Sequence, residues 1–210
     1  MRIAPENTFE NNYAAIAGVI SKPLQFSHKT YGESFYTFHI AVERKSGYED
    51  EIIVMISERL MTDGGPYLGQ YVKVVGQIRT YNENSDGRNK LNIVVFAREI
   101  EPDCICICDE NNIYLSGFLC KKPLKRISPL GRQICDIMLA VNRMYNKSDY
   151  IPCIAWGRNA IFAESLDTGD KITVEGRLQN REYRKKDEKG NVLYKVAYEV
   201  SILKLIIDEN

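Results

Sequence analysis

Val, Ile, Tyr and Thr alternate with polar residues along most of this chain, the period-two pattern of strands with one face on a core. In the second half the alternation runs through five segments, near residues 112–119, 132–143, 149–156, 171–182 and 192–205. Between the third and fourth lies RNAIFAESLDTG (158–169), whose spacing predicts a short helix. In it Ile161 and Phe162 pair at i+4 with Ser165 and Leu166, and Gly169 forms the stop. The order is three strands, a helix, then two strands.

The pattern is written twice. NNYAAIAGVISKPL at 11–24 is answered by NNIYLSGFLCKKPL at 111–124, YGESFYTFHIAVER by LGRQICDIMLAVNR, and GQYVKVVGQIRTY at 69–81 by GDKITVEGRLQNREY at 169–183. Two copies of about 100 residues are too few and too long for a solenoid, so the repeat predicts duplicated domains. Three strands, a helix and two strands is the order of the OB-fold, a five-stranded Greek-key barrel. The expected fold is therefore all-β: two tandem OB-folds, residues 1–103 and 104–210, each with a short helix between strands 3 and 4. Small barrels need sharply bent strands, which gives Gly18, Gly76, Gly117 and Gly176 a reason to recur. SDGRN (85–89) and EKGNV (188–192) predict the turns between the last two strands.

Composition sharpens this only in places. Apolar residues make up 44% of the 210, enough for a real core. No apolar run approaches the ~18 residues of a membrane span, and the N-terminus lacks a signal-like pattern, so a cytoplasmic protein is expected. All six cysteines lie at or after residue 104, and CICIC (104–108) invites a metal reading. Alternation with Ile predicts a strand instead, with thiols ~7 Å apart along one face, too far to share a zinc ion at ~2.3 Å each. No metal or other cofactor is expected. Net charge is zero, but residues 1–110 carry 11 basic and 16 acidic side chains, and residues 111–210 carry 17 and 12. A net −5 thus opposes a net +5, and the second half is the one suited to a polyanion.

That half also interleaves aromatics with cations. Tyr145, Tyr150, Trp156 and Tyr183 sit at strand ends and turns, among Arg143, Lys147, Arg158, Arg177, Arg181, Arg184, Lys185 and Lys186. Each ring offers a stacking surface for a base, at ~1–3 kcal/mol, while the cations neutralise phosphates. Singly, a strand Trp packs in a core and RKKDEK (184–189) is a solvated hairpin. Together they suggest a track for an unpaired nucleic-acid strand.

NNIYLSGFLCKKPL, LAVNR, YIPCIAWGR and GDKITVEGRLQNREY, in that order and spacing, resemble the bacterial single-stranded DNA-binding protein (SSB) family over nearly all of residues 111–207. The resemblance implies base stacking on Tyr145, Tyr150, Trp156 and Tyr183, and phosphate contacts from Arg158 and Arg181. It also implies a homodimer presenting four barrels, as tandem members of the family form, acting in replication, recombination or repair. Family members typically end in a flexible tail with an acidic tip that recruits partner enzymes. The sequence here ends in strand-like KLIIDEN, so recruitment of replication or repair proteins by that route is not expected.

The first copy departs from the second. Ser57 stands where Trp156 does, Glu51 opposite Tyr150, and Ser46 near Tyr145. Tyr81, and secondarily Tyr48, remain as stacking candidates. Glu49, Asp50 and Glu51 are expected to crowd the turn where bases would lie and to repel phosphate. The first barrel thus reads as weakened or repurposed. His28 and His39 are the only histidines, and no phosphate loop, nucleophile elbow or ligand cluster is present, so a binding protein is expected rather than an enzyme. The alternative is a primosomal-type accessory or scaffold protein whose barrels hold other proteins.

Overall fold

The computed structural model describes residues 11–61, 64–85, 88–103, 108–128, 130–186, 190 and 192–208. The first repeat forms β1 (Asn12–Thr30), β2 (Glu33–Glu43), β3 (Glu49–Ser57), β4 (Tyr71–Ser85) and β5 (Arg88–Pro102). The second forms β6 (Glu110–Leu119), β7 (Leu124–Ile127), β8 (Gln133–Arg143), β9 (Lys147–Trp156), α1 (Arg158–Glu164), β10 (Lys171–Lys186) and β11 (Val192–Ile207). In each repeat the first strand pairs with both the second and the fourth, and the third pairs in parallel with the fifth. Each sheet therefore closes on itself as a five-stranded barrel, the OB-fold expected from the alternation.

Several details differ from the sequence reading. β7 is a sixth strand, paired with β8, and extends the hairpin edge of the second barrel. Among the described residues the α-helix forms only in the second repeat. Among the described residues the first has one 3₁₀ turn there, Glu58–Leu60, because Gly64, Gly65 and Pro66 follow where the second repeat has helix formers. Within α1 the buried side chains are Ala160 and Ala163, while Ile161 and Phe162 lie exposed. The helix ends at Ser165, not Gly169, whose N–H instead bonds the Leu119 carbonyl at 2.8 Å. Cys108 lies outside any strand, and residues 104–107 fall outside the described residues, as do the tips of both long hairpins.

Gly76 and Gly176 mark the bends. The β4–β5 register slips between Val75 and Gly76, and the β10–β11 register between Glu175 and Gly176. A Cβ at either position would collide with a backbone carbonyl, that of Phe96 or Ser201. Only glycine lets the crossing strands come this close.

The barrels are joined edge to edge. β1 and β6 run antiparallel from Asn12↔Leu115 to Ala17↔Glu110, so all eleven strands belong to one sheet. The apolar cluster passes through this seam without a break, from Ala14 and Ile16 to Ile113 and Leu115. Side chains repeat the same bonds within each barrel, and two acids then cross between barrels. Asn12 exchanges two 2.8 Å hydrogen bonds with the Ile78 backbone, and Asn111 does the same with Leu178, at 2.7 and 2.8 Å. Asp50, buried at 1% exposure, accepts the Asn180 N–H across the seam at 3.1 Å. Asp149, fully buried, accepts the Thr80 N–H at 2.7 Å.

Candidate nucleic-acid interface

Strand alternation sets the site. On β9, Ile151, Cys153 and Ala155 enter the core, which turns Tyr150, Pro152, Ile154 and Trp156 to the outer face. Tyr150 and Trp156 are six residues apart on it, roughly 20 Å at strand rise. Tyr150 is exposed, whereas Trp156 is half-buried and donates its indole N–H to Ser201 Oγ on β11 at 3.2 Å, which fixes the ring.

Trp156 stands on the wall of a cleft of about 1050 Å³, with Arg177, Gln179 and Arg181 of β10 beside it. Arg177 Nε is buried without a hydrogen-bond partner. Burial, followed by the nearby Arg44 charge, holds this guanidinium below the ordinary arginine range, with Asp50 opposing. Arg181 lies 3.5 Å from Glu199 and 5.9 Å from the Tyr183 ring centroid. Trp156, Arg177, Arg181 and, through Arg181, Tyr183 are thus brought together.

The other candidates lie elsewhere. Tyr145 is 90% exposed in the short turn between β8 and β9, with a left-handed φ of 62°. That turn docks on β4 of the first barrel, where the Tyr150 N–H bonds Thr80 Oγ1 at 3.2 Å. Tyr81, 43% exposed, follows Thr80 on the same strand. Lys147 and Arg158 are exposed, at the start of β9 and of α1. Arg184 lies over the exposed Tyr194 ring at 5.5 Å, a platform the sequence reading passed over. The side chains of Lys185 and Lys186 lie outside the described residues.

Arg143 requires a correction. It is not a free cation, because its Nε sits 2.8 Å from buried Asp149, which also holds Arg79 at 3.2 Å. The first-barrel acids require another. Asp50 does not face a strand path: it is buried, with Arg44 Nε bonded to it at 2.6 Å. Glu51 is paired with Lys22 at 2.7 Å and with His39 at 3.5 Å. Two of the three carboxylates are spent on holding the barrels and strands in place.

The outer face of the first barrel is also richer than Tyr81 alone. Phe35, Met55 and Val94 form a separate buried cluster on it, with Ile53 and Phe96 packed alongside. His28 stacks on Phe35 at 5.0 Å, and Arg98 covers Phe96 at 5.1 Å. Phe96 occupies the place held in the second barrel by Ser201, the partner of Trp156. Alternation within SFYTF and IVVFAR could have signalled this cluster.

Comparison with known proteins bears on the family and the fold. The model of the Single-strand binding protein family matches residues 110–204. Single-stranded DNA-binding protein 2 of Clostridium acetobutylicum is 37% identical over 108 residues, 48% of this chain and 81% of that protein. The single-stranded DNA-binding protein of Clostridium tetani is 35% identical over 101 residues, 44% of this chain and 70% of its own. The crystal structure of the wild-type single-stranded DNA binding protein from Thermus aquaticus superposes with a TM-score of 0.75 over 95% of this chain and 93% of that one. At 23% identity it shares the fold across both barrels.

Proposed function

We propose, from the premise that this chain belongs to the single-strand binding protein family, that it binds single-stranded DNA with little regard to sequence. The observation that carries this is the cleft in which Trp156 stands beside Arg177 and Arg181. An anchored indole gives any base a face to stack on, and the guanidinium groups supply the charge and donors that phosphates require. The exposed Lys147, Arg158 and Arg184 extend the cationic surface, while Tyr150, Tyr145 and Tyr81 form an aromatic path toward the first barrel. The second barrel, as residues 104–210, is the stronger site, and the first, as residues 1–103, the weaker.

The protein covers unpaired strands during replication, recombination or repair, in the cytoplasm and on the nucleoid, as a homodimer of four barrels. Among the described residues, no helix is long and apolar enough to cross a membrane. The self-packed Phe35–Met55–Val94 face favours a second role for the first barrel, holding a protein partner instead of DNA. Titration of the full chain with oligo-dT, read by the single tryptophan, tests the main reading. Saturable quenching is expected, and absence of binding at low salt removes it.

A further inference from the structure

The cleft beside Trp156 is not made by the second barrel alone. Arg44 and Tyr48, from the β2–β3 turn of the first barrel, form part of its wall. This turn is rigid. The Arg44 N–H bonds the Tyr48 carbonyl at 2.7 Å, and the Gly47 N–H bonds the Arg44 carbonyl at 2.8 Å. It is also fixed to its neighbour, since Arg44 grips Asp50, and Asp50 accepts the Asn180 N–H of β10. The Arg44 guanidinium lies over one face of the Tyr48 ring at 4.5 Å, and the side chain remains 46% exposed. A ring backed by a cation on one side and open on the other is a prepared stacking surface.

The charge balance points the same way. Arg44, Arg132, Arg177 and Arg181 line the cleft with one acid, Glu182, while Asp50 and Glu199 behind the wall pair with Arg44 and Arg181. The Arg44 charge disfavours that of Arg177, and Arg177 Nε has no acceptor. A phosphate there would satisfy the donor and relieve the repulsion.

We infer that Tyr48 of the first barrel is a stacking platform for single-stranded DNA bound in the second barrel's cleft, with Arg177 as the phosphate donor between Tyr48 and Trp156. This rests on the proposed DNA-binding function and makes the site composite: a strand leaving Trp156 passes onto the other barrel.

The test uses the full chain, oligo-dT and oligonucleotides carrying a photoreactive halogenated deoxyuridine. Tyr48→Ala should weaken oligo-dT binding roughly 5- to 150-fold, the equivalent of one lost stack, with an unchanged melting temperature. Tyr48→Phe should retain binding, and irradiation of the unmutated complex should cross-link Tyr48. Tight wild-type binding that Tyr48→Ala leaves unchanged overturns the inference and leaves the main reading intact. Weakened binding with a lowered melting temperature and no Tyr48 cross-link also overturns it. No binding by the wild-type chain removes both.

Discussion

Ala14 faces Ile113 in the ladder between β1 and β6, and each residue is the other's counterpart, 99 positions away in the repeat. A local two-fold axis therefore passes through this pair. The cross-seam contacts obey it: Asp50 to Asn180 in one direction, Asp149 to Thr80 in the other. Two copies in one chain meet as identical subunits meet in an isologous dimer, with the same patch contributed from each side.

Asp149 should be the costliest side chain at the seam to remove. It is fully buried and holds Arg79, Arg143 and the Thr80 N–H. Asp149→Ala leaves two arginines facing a buried gap, so a loss of about 3–5 kcal/mol is expected in urea unfolding. Asp50→Ala strands one arginine, Arg44, and the Asn180 N–H, and should cost less. Equal or negligible losses would contradict this account of the join.

Trp156 should report DNA directly. Oligo-dT stacked on it quenches the protein's fluorescence, and Trp156→Ala should cost roughly 1–3 kcal/mol of binding at fixed salt. Tight binding with an unaltered tryptophan signal would take Trp156 out of the path.

Salt dependence separates cations that meet phosphate from cations that hold the fold. If Arg181 neutralises one phosphate, Arg181→Gln lowers the log–log salt slope of binding by about 0.7. Arg143→Gln should leave the slope unchanged and lower the unfolding midpoint, since its partner is buried Asp149. The opposite pattern would reverse the two assignments.

Acid should loosen the β2–β3 region first. Burial, then the nearby Lys22 charge, holds His39 below its ordinary value, with Glu51 opposing. The unfolded chain therefore takes up this proton before the folded one. The contribution of His39 is complete above the ordinary value of about 6.5 and is lost as pH falls through the folded value. Melting temperatures between about pH 6.5 and 5 should fall more steeply for the wild type than for His39→Gln. Parallel curves would show that His39 carries no such coupling.

The barrels were legible because period-two alternation and recurrent glycines are local signals. The Gly76 and Gly176 bends follow from them, as does the outward turn of Trp156. Contacts across the seam were not legible. Asp50 reads as a surface acid beside Glu49 and Glu51, and only the fold brings Asn180 to it. The repeated Arg44–Asp50 and Arg143–Asp149 spacing was visible in the sequence, yet like-charge reasoning concealed that each acid had an arginine six residues before it. Ile161 and Phe162 misled because helix periodicity selects a face without saying how close the barrel lies. At α1 there is room only for Ala160 and Ala163.

The unlike outer faces have a consequence for direction. A substitution in a dimer of identical subunits appears on both sides of its axis, whereas here Phe96 stands opposite Ser201 and Ser57 opposite Trp156, each once. A DNA strand has a 5′ and a 3′ end, and a perfectly two-fold pair of barrels meets it the same way whichever end arrives first. With one barrel led by an anchored indole and the other by a packed phenylalanine cluster, a strand lying across both barrels of one chain, as proposed above, would meet them in one order for one polarity and in the reverse order for the other.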